Sequence, residues 1–463
     1  MSEPSDEQSP DQWEQMLRAV LGDEAAEQVL AQMREQGIDP STQINEMMNP
    51  ANFNAVVAQV KAMLGSAGDG PVNWKVGEQV ARETIQKQHF DTLDAATGNR
   101  ARTALQTGNL WLDPATEIDP CAGPNQAWSR LDWLAHSLPT FKHMTEPVGA
   151  NVSRAFSEAM GEQLSEAPDE VTAMFGGDPA GMMQGIIASL LGMQFGMGLA
   201  QLAAISFGTS DSGIPLVEGQ TAALVPSNIA DFAEGLEVQE EEVMLFVAVR
   251  EQAASRLYSR ISWLRPQILD TVAAYANDIE IDTDSIEEQV RNMGFNPQNL
   301  QELDLTNVFS PEPTESQKLT LLRLEHLISL VEGWVSAVSM RAVAAQLPHA
   351  VPLSEMFQRR SATDSPINQV FGTLVGLQIK PRKIREATRF WQMAFEKLGQ
   401  AGRDALWAHP DLLPSAEVLE DPSSFFSGAS SNVEEELDAF LNELLGEGGM
   451  DGDAPHEPGY GEK

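Results

Sequence analysis

Between Asp178 and Asp211 the chain runs without one charged residue, as PAGMMQGIIASLLGMQFGMGLAQLAAISFGTS, although 21% of its 463 residues are charged. A helix that is apolar on every side has to lie inside something. Its length would allow a membrane span. Gln184, Gln194 and Gln201, the many glycines and the lack of a basic flank point instead to a fully buried central helix of a soluble fold. Gly181/Gly185 and Gly192/Gly196 are small pairs at helical spacing, which let a second helix approach closely.

Two further stretches read as buried amphipathic helices: 237–265, EVQEEEVMLFVAVREQAASRLYSRISWLR, and 321–340, LLRLEHLISLVEGWVSAVSM. Each places one glutamate deep in an apolar run, Glu251 and Glu332. Carboxylates are rarely buried without a partner or a task. These two are the candidate functional residues.

Composition narrows the class. With 68 acidic against 29 basic residues the formal net charge is −39. That argues against a nucleic-acid binder, which needs clustered Lys and Arg, and against adsorption to anionic membranes. Cys121 is the single cysteine, which excludes an intrachain disulfide and thiolate metal clusters. The first residues, MSEPSDEQSPDQWEQ, lack the basic and apolar parts of a signal peptide. A cytoplasmic location is the expectation.

Along the chain, 1–10 reads as disordered and 11–65 as a helical N-terminal segment, closed by the flexible run SAGDGP. The body starts with a helix in VNWKVGEQVARETIQKQ whose apolar face is Val76, Val80 and Ile85, followed by a polar stretch to residue 119. Two helices broken at Pro139, with a further turn at Pro147, are expected next. Trp128 and Trp133 read as core anchors. The plausible strands are short, 216–217 and 223–225. Lys380, Arg382, Lys383 and Arg385 form the densest positive cluster, either balancing acidic neighbours or meeting an anionic partner. The segment 423–463 reads as an acidic, mostly disordered tail with one amphipathic helix at about 433–446, suited to docking a protein partner or its own body.

Glu251 sits in R-E-Q-A-A. The zinc-hydrolase helix H-E-x-x-H needs two histidines one turn apart on the metal, with the glutamate polarising the bound water. Here Arg250 and Ala254 occupy the histidine positions; one is cationic and the other has no donor atom. None of the seven histidines pairs with another at three- or four-residue spacing. There is no G-x-x-x-x-G-K-[ST] and no G-x-S-x-G. An ion pair of Glu251 with Arg250 or Arg256, and of Glu332 with Arg256 or Arg260, accounts for both buried glutamates.

At VNWKVGEQVAR, AWSRLDWL, GIPL, VREQAASRLYSRISWLRPQIL, LEHLISLVEGWV, FGTLVGLQIKPRKIREATRFW and GRDALWAHPDLLP, the chain resembles an actinobacterial zincin-like family described as zinc-dependent metalloproteases or hydrolases. That family includes a branch associated with deazaflavin-cofactor biosynthesis, and the resemblance covers about 72–422. The branch carries H-E-x-x-H followed by E-G-H, and nearer members carry R-E-x-x-H. The resemblance puts Glu251 at the catalytic base and Glu332 at the later glutamate ligand. Arg250 and Ala254 stand at the two histidine ligands, and Trp334 at the histidine of E-G-H. It implies a mostly α, zincin-like body with little or no β-sheet. The function it implies is that of a degenerate metalloprotease homologue without zinc, cofactor or peptidase activity, binding or regulating an unknown protein or peptide. The alternative is a zinc-dependent metalloprotease or hydrolase with a non-standard metal site.

Overall fold

The computed structural model describes residues 70–88, 92–165, 179–283, 285, 286, 288, 313–363 and 366–427. The expectations for 1–10 and 11–65, and for the helix at about 433–446, lie outside the described residues. Among the described residues the body is mostly α-helical, with four strands of two residues each.

Three helices build one side. α1 (Trp74–Gln88) buries Gly77, Ala81 and Ile85. α2 (Ala95–Leu112) is capped by Asp94, whose carboxylate accepts from the backbone N–H of Ala96 and Thr97. α3 (Arg130–Ser165) buries Trp133, Leu134, Phe141, Val148 and Phe156. The charge-free stretch is α4 (Pro179–Ile205). It is long and apolar enough to cross a membrane, and 72% of its most apolar window is buried against the rest of the chain.

Close approach explains the face that α1 uses. A Cβ at Gly192 would strike the carbonyl oxygen of Asn73, and one at Gly196 that of Gly77. The small residues Gly77 and Ala81 therefore face α4, and Val76 and Val80, expected inside, are only half-buried. Nor does Pro139 or Pro147 break α3, which runs through both. An interior proline costs about 3 kcal/mol of helix stability, and burial of the large side chains on either side exceeds that. The stretch 95–112, read as polar, is α2. Its inner face is Gly98, Ala101, Ala104 and Gly108, which carry little hydrophobic signal but allow close packing.

The strands lie at the centre. β1 (Gln126–Ala127) pairs in parallel with β4 (Ala223–Leu224), and β2 (Ser210–Asp211) pairs antiparallel with β3 (Ile214–Pro215). Of the two expected strand pieces, 223–225 overlaps β4. The other, 216–217, is not a strand, although both its backbone N–H groups donate to the carbonyl of Thr209. The β2–β3 turn has positive φ at Ser212 and Gly213, 48° and 79°. That is the two-residue hairpin that matches strand twist.

After α5 (Pro226–Ala233), the expected 237–265 helix is α6 (Glu240–Arg260), and the helix expected next, across QILDTVAAYANDIEI, is α7 (Leu264–Asn277), which starts a few residues earlier. The chain turns at Ile261, φ −94° and ψ 92°. Pro266 then falls in the first turn of α7, where its missing N–H has no intrahelical role. Three acidic residues in the first turn of α6 suit the helix dipole. α8 (Glu315–Val343) starts in a capping box of Thr314 and Gln317 and contains the expected 321–340 helix. α9 (Ala350–Thr363), α10 (Pro366–Val375) and α11 (Ile384–Ala405) follow. Gly333 of α8 lies so close to α11 that a Cβ there would sit 2.6 Å from the Cβ of Ala387.

Candidate functional site

α6 is buried on nearly every side from Val243 to Leu257 because three elements surround it. α2 lies on one flank, where Gln252 Nε2 donates to the carbonyl of Leu105 at 3.1 Å. α8 lies on another, and the 207–225 segment with its strands covers the third. Glu251 and Arg250 are neighbours about 100° apart around the helix, so they face different elements.

Glu251 faces the strands. Its Oε1 accepts from the backbone N–H of Thr209 at 3.0 Å, the Thr209 hydroxyl at 2.5 Å, the N–H of Ala223 at 3.2 Å and the Ser255 hydroxyl at 3.1 Å. Oε2 lies over Gly208, where a side chain would collide with it, and Glu251 borders the central cleft. Burial pushes its carboxyl above the usual range, and the bonds from Thr209, Ala223 and Ser255 oppose that shift.

Arg250 faces α8. Its Nη2 donates to Glu332 Oε2 at 2.7 Å and its Nη1 to the Ser336 hydroxyl at 3.1 Å. Its guanidinium carbon lies 5.3 Å from the centroid of the Phe357 ring. Both partners of the Arg250–Glu332 pair are about nine-tenths buried, with side-chain exposures of 10% and 9%. The expected pairings are thus corrected. Glu251 is held by hydroxyl and backbone donors rather than by arginine, and Glu332 pairs with Arg250 rather than Arg256 or Arg260. Arg256 reaches Asp113 at 2.7 Å and the carbonyls of Asn109 and Ile118. Arg260 donates to the carbonyl of Pro120.

The β2–β3 hairpin roofs the site. Tyr258 donates from its hydroxyl to the Gly213 carbonyl at 2.5 Å. Burial, then Glu332 and Glu251, raise its pKa well above the ordinary value and keep it neutral. A Cβ at Gly213 would meet Ile328 Cγ2 at 2.9 Å and Glu332 Cγ at 3.2 Å. Beneath the roof is a cavity of about 50 Å³ bordered by Arg250, Glu251, Ala254 and Glu332, with apolar walls that include Phe207 and Phe357. The four residues singled out in the sequence therefore share one cleft. Phe357 also borders it, and Thr209, Ser255, Ser336 and Tyr258 hold its side chains and hairpin in place. Of these only Ser255, one helical turn after Glu251, has a readable sequence cue.

Trp334 does not border the cleft; its indole donates to Asp404 Oδ1 at 3.0 Å. Asp404 also takes Thr116 Oγ1 at 2.7 Å and Arg403 Nε at 2.7 Å. His326 Nε2 contacts the carbonyl of Pro414 at 2.9 Å, and burial lowers its pKa. Cys121 lies 3.4 Å from the Ser259 hydroxyl, and burial raises its thiol. Trp128 and Trp133 are core residues. In the positive cluster, Lys383 binds Glu420 at 2.9 Å and the carbonyl of Ala416 at 2.8 Å, so it is tied to the chain's own acidic neighbours.

A zinc ion of the kind the motif frame implies needs three protein ligands. Among the described residues no three His, Cys, Asp or Glu side chains converge. Glu332 is engaged by a guanidinium, Ala254 has no donor, and Arg250 brings positive charge to the place where a cation would bind. This donor set does not fit such an ion.

No curated protein matches the chain. A crystal structure from Chloroflexus aurantiacus, described as "a putative hydrolase with a novel fold", superposes with a TM-score of 0.52 at 18% identity. The match covers 78% of this chain and 99% of that one, and it is a likeness of fold. A family model for zincin-like metallopeptidases matches residues 72–426, from the start of α1 to the pair Phe425–Phe426 packed on α11. The chain belongs to the zincin-like metallopeptidase family.

Proposed function

We propose that this member of the family is degenerate at its motif. It holds no zinc, cleaves no peptides, and serves as a binding or regulatory protein through the cleft between α6 and α8. The observation that carries the reading is the Arg250–Glu332 pair at 2.7 Å. A permanent side-chain cation is seated on the carboxylate that the resemblance gives to the metal. Removing one partner of a buried pair costs about 3–5 kcal/mol, so the guanidinium is not readily displaced. Zinc content, measured by mass spectrometry on protein purified without chelators or a metal-binding tag, tests the proposal. The expected result is no stoichiometric metal and no cleavage of a peptide library. One tightly bound zinc per chain overturns it.

A second reading, hydrolysis with a non-standard catalytic set, is favoured by one observation. Glu251 borders the cleft, and burial raises its carboxyl above the usual range, the direction of shift that acid–base catalysts show. It requires measurable hydrolysis by the parent protein and its loss in Glu251→Gln.

A further inference from the structure

The donors around the cleft are unequally satisfied. A guanidinium carries its N–H groups in a planar fork. Arg250 directs Nη2 to Glu332 and Nη1 to Ser336, and its remaining N–H groups have no hydrogen-bond partner among the described residues. Arg250 nevertheless borders the cavity. On Glu251 the imbalance is reversed: all four donors meet Oε1, Oε2 lies over Gly208, and the residue borders the cavity. Two neighbouring side chains therefore turn hydrogen-bonding capacity into one small space.

Size and charge define what fits there. A cavity needs about 10–15 Å³ before it can hold one water. The 50 Å³ present exceeds that threshold and suits one small polar group on a short stem. Val247, Val335, Phe207 and Phe357 give the stem apolar walls. Local charge does not oppose an anion. Glu332 is neutralised by Arg250 at 2.7 Å, and Arg360, which donates to the carbonyl of Ile205, also borders the cavity. A cationic ligand would face both arginines. A planar carboxylate offers paired acceptors to the guanidinium fork.

We propose that the cleft is a binding site for a single carboxylate group on a short apolar stem, gripped by Arg250. The proposal rests on the metal-free reading of the same cleft. A short-chain carboxylic acid and the C-terminus of a peptide present the same chemistry.

Calorimetric titration of the full chain with butyrate, butyramide, and N-acetyl-valyl-leucine as free acid and as amide tests this. Butyrate or the free-acid dipeptide is expected to bind, and each neutral amide at least about tenfold more weakly, because charge-assisted bonds are lost. Stronger binding of the dipeptide acid identifies a peptide C-terminus, and binding of butyrate alone identifies a small acid. The variant is Arg250→Gln combined with Glu332→Gln, which removes the pair without stranding a buried charge. Its fold is checked by circular dichroism, and it should lose carboxylate binding at least about tenfold. Equal binding of acid and amide, no binding of any acid, or full binding by the folded double variant overturns the proposal. Zinc is measured on the same sample. Metal there defeats the metal-free reading, whereas a metal-free protein that ignores carboxylates defeats this inference alone.

Discussion

Replacing Glu332 with Leu strands the Arg250 guanidinium at a site where its side chain is only 10% exposed. A stranded buried charge costs about 3–5 kcal/mol. For a body of about 350 residues, unfolding entropy of about 2.1 cal/mol/K per residue gives about 0.7 kcal/mol/K. The melting temperature of Glu332→Leu should therefore fall by about 4–7 °C. Arg250→Met should lose a similar amount by leaving Glu332 uncompensated. Because the pair also carries a desolvation cost, the double variant should recover most of the loss or exceed the parent, as apolar replacements of buried pairs often do by about 1–4 kcal/mol. Calorimetric melting of the four proteins yields the coupling directly. If the two single losses simply add in the double variant, the pair is not the energetic unit described here.

Three other outcomes follow from the geometry. The carboxyl of Glu251 is raised in the folded state, so the fold binds its proton more tightly than the unfolded chain does. Its stabilising contribution is complete below the ordinary glutamate range and is lost as pH rises through the folded pKa. Melting of Glu251→Gln and parent compared across pH should shift in favour of Gln as pH rises; a pH-independent difference contradicts this. Gly208→Ala drives a methyl group into the Glu251 carboxylate and to 2.7 Å from the Ala223 carbonyl, which should cost about 1–3 kcal/mol in denaturant unfolding. Trp334→Phe removes the indole bond to Asp404 and should lower stability by about 1.5–3 kcal/mol, the worth of a hydrogen bond to a charged group. An unchanged unfolding midpoint in either variant would show that the contact carries no weight.

The elements that the sequence announced are those with one dominant signal. α4 is charge-free, and α6 and α8 carry long apolar runs, so their burial and that of Glu251 and Glu332 were readable. The helix at 95–112 was hidden because its inner face is made of Gly and Ala, chosen for closeness to α6 rather than for hydrophobicity. The continuous α3 was hidden because local proline chemistry yields to packing. The ion-pair assignment failed for a geometric reason. Which neighbour of Glu251 meets α8 depends on how far α6 is rotated about its axis, and no residue pattern states that rotation. The donors to Glu251 come from Thr209 and Ala223, 42 and 28 residues away in the chain, where a threonine or a backbone N–H gives no sign of its role.

The aspartate that receives the Trp334 indole also receives Thr116, and 288 residues separate Thr116 from Asp404. A contact that distant cannot form until nearly all of the body has been synthesised. Closing so large a loop carries an entropic cost before any interaction is gained. The helix bearing Glu332 thus gains its last support late, after α6 and the strands are already available. During synthesis the joining of α8 and Asp404 to Thr116 is therefore among the last contacts of the body to form.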